Sequence, residues 1–135
     1  MSLIVPDDGE IKLLEYLVNR SLVVHLYQND IDPADGSHGT SGRDFTSSTF
    51  TEVPISAITL AAVNWTTTQT SGGVSTAQYT SGVTFTFTSG QSVYGYYVTD
   101  TSNNILWAER FSGAPFELPV AGGDIAVRPQ VGLSS

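Results

Sequence analysis

Two spacings of apolar residues divide this chain. Ile11, Leu14, Leu17 and Val18 recur at three and four, with Leu13 widening the stripe, which is the spacing of one face of an α-helix. Asp7 or Asp8 is placed to cap its start, Glu10 suits the positive first turn and Arg20 the negative last turn. The pattern predicts a helix over about 8–19. Ahead of it, Ser2, Leu3, Ile4, Val5 and Pro6 form a short apolar arm in which the proline holds Val5 extended.

After the helix the spacing drops to two. Leu22, Val24 and Leu26 alternate with Val23, His25 and Tyr27, as expected of a strand with one face on a core. The following "DIDPADGSHGTSGRD" is dense in Asp, Gly and Ser and reads as a long loop over 31–44. A connection of that length calls for a reason such as binding or assembly. Beyond it, Phe45 and Phe50 are candidate anchors into the core.

From Ile55 onward every segment reads as β. "ISAITLAAVNWTTTQT" supplies one or two strands, "SGGVS" breaks the run, and "TAQYTSGVTFTFTS" alternates at Val83, Phe85 and Phe87. "SVYGYYVTDTSNNILWAERF" reads as an aromatic hairpin around a polar tip. "APFELPV" is a short strand, and "DIAVRPQVGL" closes the chain with Pro129 at an expected edge position. Turn signals every eight to twelve residues predict a mainly β fold, a β-sandwich or jelly-roll-like barrel with one short N-terminal helix. The expected organisation is an arm over 1–7 and a single β-rich domain over 8–135, helix included.

The hairpin leaves two registers open. A five-residue loop sets Tyr97 opposite Trp107, whereas a four-residue loop sets Val98 opposite Trp107 and Tyr97 opposite Ala108. In both, Gly95 lets a bulky neighbour lie over the strand. Its aromatic residues read first as cross-strand packing, and second as a sugar-stacking face carried by Tyr97 and Trp107.

Composition narrows the function. The chain of 135 residues has Lys+Arg 5 against Asp+Glu 13, a formal net charge of −8. A surface of that sign repels phosphate, so neither nucleic acid nor an anionic membrane is an expected partner. Charged residues are only 13% of the chain, so solubility comes from hydroxyls and backbone, a texture common in virion and secreted β proteins. With no cysteine, disulfides and thiolate metal sites are excluded. The first residues lack the basic start and long apolar core of a secretory leader, and no stretch has the length of a membrane-spanning helix.

Candidate chemistry is sparse. Asp30, Asp32 and Asp35 crowd before Gly36, but the third acid is one residue late for a calcium loop and the twelfth position is Ser41. The stretch reads as a solvated turn whose Asp side chains bond nearby backbone N–H groups, and no metal or cofactor is expected. His25 reads as a strand residue facing a polar rim, and His38 falls in the Gly-rich loop. No G-x-S-x-G elbow accompanies the many serines. Glu109 and Arg110 are neighbours on one strand, so they face opposite sides, and Asp100 belongs to the turn. Asn64-Trp65-Thr66 matches the glycosylation sequon, a pattern frequent by chance. No catalytic set is visible.

The order of these segments resembles small structural proteins of tailed bacteriophages, of the capsid decoration or cement kind. "LVVHLYQNDIDPADG", "DFTSSTFTEV", "ITLAAVNWT" and, most strongly, "YGYYVTD" with "ILWAERF" carry the resemblance. It implies a β-rich, non-enzymatic domain that binds the major capsid protein or other virion subunits, in virions assembled in the bacterial cytoplasm. The form expected with it is a symmetric homo-oligomer, a trimer in preference to a dimer. Leu3, Ile4, Val5 and Pro6 are the candidate assembly contacts. The alternative is a tail-fibre or receptor-binding module that holds carbohydrate on Tyr97 and Trp107. A small hydrolase would need a deep pocket joining His25 to an acid.

Overall fold

The helical stripe forms α1 (Asp7–Val18). Three acids, Asp7, Asp8 and Glu10, occupy its first turn, where they complement the helix dipole. Pro6 holds the N-cap position in extended backbone, and no side chain caps the start by a hydrogen bond. At the other end Arg20 Nη2 donates to the Tyr16 carbonyl at 3.2 Å, satisfying one of the open carbonyls of the last turn. The buried line of the helix is Glu10, Leu14 and Val18. Ile11 and Leu17 flank it half-buried, but Leu13 is 52% exposed, because a residue one position from Leu14 points about 100° away. The expected widening of the buried stripe through Leu13 therefore does not occur.

The computed structural model describes residues 4–34, 45–69 and 73–133. Among them run β1 (Leu22–Tyr27), β2 (Ile58–Leu60), β3 (Trp65–Gln69), β4 (Ser75–Tyr79), β5 (Val83–Phe87) and β6 (Gln91–Val93). They are followed by β7 (Gly95–Thr99), β8 (Ile105–Arg110), β9 (Phe116–Leu118), β10 (Gly123–Val127) and β11 (Gln130–Leu133). A four-stranded sheet has the order β2-β1-β7-β8, a three-stranded sheet the order β11-β4-β3, and β10-β5 and β6-β9 are pairs. All pairings are antiparallel. The fold is mainly β and sandwich-like with one short helix, and its sheets stay open, so the jelly-roll-like barrel is not formed. Pro129 is not a simple edge residue. It is buried where the chain leaves β10, paired to β5, for β11, paired to β4, and its carbonyl accepts the Tyr79 N–H at 2.9 Å.

Two cores result. Leu22, Val24, Leu26, Tyr96 and Val98 on one face of the four-stranded sheet meet Leu14 and Val18 of α1, Ala77 and Tyr79 of β4, and Phe85 and Val127 of the β5–β10 pair. Tyr27 and Tyr97, on the other face, are covered by the chain between β1 and β2 through Ile31 and Phe50. Phe50 stacks on Tyr97 at 4.9 Å and 16°, and Phe45 meets Phe50 edge-on at 5.7 Å. Both expected anchors thus reach a core, the second one. Of the long loop, residues 35–44 lie outside the described residues.

The hairpin combines the two expected registers. Its tip spans 100–104, five residues, with Thr99 opposite Ile105. Leu106 is then an extra residue, and beyond it Val98 faces Trp107 and Tyr97 faces Ala108. Gly95 does what a glycine is needed for here. A Cβ at that position would stand 2.2 Å from the Glu109 carbonyl and 2.5 Å from the Tyr27 hydroxyl, and the Tyr27 ring occupies the space.

Candidate functional site

The most polar constellation inside the fold gathers on the second face of the four-stranded sheet. His25 lies at the middle of β1, directly opposite Tyr97 of β7, and its ring stacks on the Tyr97 ring at 4.7 Å and 6°. Nδ1 is 2.8 Å from Glu52 Oε1, and Nε2 is 2.8 Å from Thr99 Oγ1. Both ring nitrogens therefore have a hydrogen-bond partner, with the donor and acceptor roles set by the tautomer of the ring. Burial, with the Glu52 charge beside it, pushes the Tyr97 phenol up to about 12. The acid–imidazole–hydroxyl order has the form of a nucleophile activated by a base, but Thr99 is 2% exposed. Neither it nor His25 lines any of the clefts described below. What the network does is tie the chain around Glu52 to β1 and β7.

The N-terminal arm has the opposite character. Leu3 lies outside the described residues. Ile4 is 80% exposed, Pro6 is exposed, and Val5 is half-buried where its Cγ1 closes on Gly9. Among the described residues of the arm, Ile4, Val5 and Pro6, none belongs to a strand. The arm runs into α1, where Leu13 and Tyr16 are exposed away from the buried line of Leu14 and Val18. Arg20 lies over the Tyr16 ring at 5.3 Å. Beside Tyr16, a groove of about 530 Å³ is floored by Val18, Ala62 and Trp65, and Val63 next to it is among the most exposed apolar residues described.

A second cleft, of about 470 Å³, opens at the far end of β8. Tyr96, Phe111, Phe116 and Ile125 wall it, and Glu109, Asp124 and Arg128 stand at its rim. Phe111 meets Phe116 edge-on at 5.4 Å and 70°, and lies 6.1 Å from Tyr96. Glu109 sits opposite Tyr96 in the ladder. The residue is exposed as a whole, but its carboxyl is partly withdrawn from water, which raises its pKa, while the Tyr96 hydroxyl acts the other way.

The remaining candidates are dispersed. Tyr97 is 3% exposed, enclosed by His25 and Phe50, and Trp107 projects from the other face of the sheet toward Trp65 at 6.0 Å. The two do not share a surface, so the sugar-stacking face expected of them is not formed. Asp30 pairs with Arg110, which also lies over the Tyr94 ring at 5.1 Å. Asp32 Oδ1 accepts the Ala34 N–H at 2.9 Å, a turn contact as read from sequence. Asp35 and His38 lie outside the described residues. Asp100 accepts the Ser102 and Asn104 N–H groups within the tip, and the bonds from Asn104 lower its pKa. Among the described residues no group of three His, Asp or Glu could hold a metal ion, and no helix is long and apolar enough to cross a membrane.

Sequence reasoning missed the cleft at β8. Its walls come from residues 96, 111, 116 and 125, four separate places in the chain that no local spacing connects. No protein-family model, curated protein or solved structure matches the chain, so the functional reading rests on the molecule's own surfaces.

Proposed function

We propose that this chain is a non-enzymatic structural subunit of a tailed-phage virion. In its most concrete form it is a capsid decoration protein seated on the major capsid protein or a neighbouring virion subunit. The observation that carries this reading is the outer side of α1. Ile4 of the arm, Leu13 and Tyr16 are exposed, while Leu14 and Val18 already supply the helix with its core contact. Leu13 and Tyr16 are not used by the isolated domain, although they stand beside the exposed Lys12–Glu15 pair, and apolar side chains exposed together in this way are available to a partner. The net charge of −8 directs that contact toward protein rather than nucleic acid. In a symmetric homo-oligomer, for which a trimer is the favoured form, several arms engage one shell together, and each modest contact gains through multivalency.

Removal of residues 1–6, together with L13S and Y16S, tests the reading. Among the described residues, neither Ile4, Val5 and Pro6 nor Leu13 and Tyr16 belong to a strand, so the domain is expected to stay folded. An apolar side chain fully buried at the contact is worth about 1.5–3 kcal/mol, so occupancy on purified particles falls and their thermal rupture temperature drops. Equal occupancy and equal rupture temperature for truncated and full-length protein would remove the arm and helix from the mechanism.

A further inference from the structure

We propose that the cleft at the end of β8 binds a neutral saccharide, with Phe116 stacking on a sugar ring and Glu109, Asp124 and Arg128 bonding its hydroxyls. The surface is separate from α1, since no residue of the arm or helix lines it.

The walls and the rim carry the inference together. Phe116 is 49% exposed although it starts a strand, and its ring neighbour is Phe111, met edge-on. Its free face is a flat apolar platform that the fold does not use. A sugar ring offers a patch of C–H groups to such a face and hydroxyls at its edges. The rim answers the hydroxyls with both kinds of partner. Glu109 and Asp124 accept, each carboxylate having room for several bonds, and the Arg128 guanidinium donates in a planar fork.

Charge selects among occupants. With two carboxylates and one guanidinium the rim is net negative, which disfavours an anion, and a cation, though attracted, would leave the Arg128 guanidinium without a partner. A neutral polyol is the small ligand that uses both signs at once. The volume of about 470 Å³ falls within the range of about 300–1,000 Å³ typical of small-ligand sites. The site is also preformed, since Tyr96, Phe111 and Phe116 hold one another by ring contacts and Tyr96 is anchored by its hydroxyl, which accepts the Gln130 N–H at 3.3 Å. Glu109, with its carboxyl partly out of water, has acceptor capacity that a hydroxyl would fill.

The test is a titration of the full chain followed by amide NMR. The probes are glucose, galactose, mannose, N-acetylglucosamine, lactose, maltose and cellobiose, with a blocked lysine amide and inorganic phosphate as charged controls. At least one saccharide is expected to produce saturable shifts at residues 109–112 and 124–128. F116A and D124N, at two exposed positions on different strands, are each expected to weaken that binding about tenfold or more, and Y16S, on the assembly face, to leave it unchanged. If F116A fails to fold, D124N alone decides. No saturable shift with any saccharide, or saturation by the lysine amide or phosphate with the sugars inert, overturns the proposal and leaves the decoration reading untouched. Unchanged binding in D124N and F116A would overturn it as well.

Discussion

Replacing Glu10 by methionine should make the isolated domain more stable. Glu10 lies on the buried line of α1, 1% exposed, and neither carboxyl oxygen has a hydrogen-bond partner. Ser75, at the start of the strand on which α1 packs, is likewise buried with its hydroxyl unpartnered. A buried acceptor left without a donor costs about 1–3 kcal/mol, and exchanging buried ionic groups for apolar ones of similar volume is often stabilising by about 1–4 kcal/mol. Methionine keeps the length of the glutamate side chain and bends to fit an irregular gap. An increase of about 2 kcal/mol is the expected size. For a domain between the small and mid-sized classes, that corresponds to a rise in melting temperature of about 6–10 °C. Urea titration and thermal melts at neutral pH measure both, with an unchanged m-value as the check that the unfolded state has not altered. Glu10→Gln, still polar, should gain less. If Glu10→Met instead loses more than about 1 kcal/mol at unchanged m, the carboxylate is being satisfied in the folded protein and the reasoning fails.

Three further outcomes are expected. Leu14→Ala, at a fully buried site, should lose about 2–5 kcal/mol in the same titration; a loss below about 1 kcal/mol would mean that α1 does not seal the core. Gly95→Ala should lose about 3 kcal/mol or more, since its Cβ would meet the Glu109 carbonyl, a backbone atom unable to move aside; near-native stability would refute the close approach of β8 and Tyr27. Tyr97, with its phenol pushed up from 10.0 to about 12, stays protonated in the folded chain after the unfolded chain has begun to ionise. Its contribution is therefore complete below pH 10 and is lost as pH rises through about 12. Melts at stepped alkaline pH should show this decline, and Tyr97→Phe should flatten part of it. An unchanged slope in Tyr97→Phe would show that the phenol is not held from water.

The features legible in the sequence were those set by neighbours in the chain. The alternation of β1 and the turn at 100–104 are local, and each follows from period or composition, whereas the groups that require glycine at 95, the Glu109 carbonyl and the Tyr27 hydroxyl, come from other strands. The helix was legible, and so were Leu14 and Val18 of its buried line, but the exposure of Leu13 was not, because Leu13 is as apolar as Leu14 and only the position of β4 decides which one faces inward. Glu10, chosen as a first-turn acid on electrostatic grounds, sits under that line for the same reason. Register in the hairpin needed the extra residue at Leu106, which no spacing announces. The separation of Tyr97 from Trp107 follows directly from it. His25 was read as facing a polar rim; its two partners, Glu52 and Thr99, lie 27 and 74 residues away and could be identified only once β1 and β7 were paired. The β8 cleft was hidden more deeply still, since its lining comes from 96, 109, 111–112, 116 and 124–128, stretches that only the strand pairings bring together.

The pairing of β1 with β7 also shapes how the chain comes into being. Val24 and Val98 are partners, and 98 − 24 = 74 residues separate them. At about 5–20 residues per second of synthesis, β1 waits roughly 4–15 s for its central neighbour to be made. In that interval β1 can pair only with nearby short segments, the three-residue β2 and the bridge at Glu52, and along its other side "LVVHLY" presents an apolar edge with open backbone groups. Because the four-stranded sheet cannot assemble until the hairpin arrives, folding is dominated by distant contacts and is expected to be slow for the size of the chain. A nascent chain halted before residue 95 is thus the species most exposed to aggregation or to capture by a chaperone.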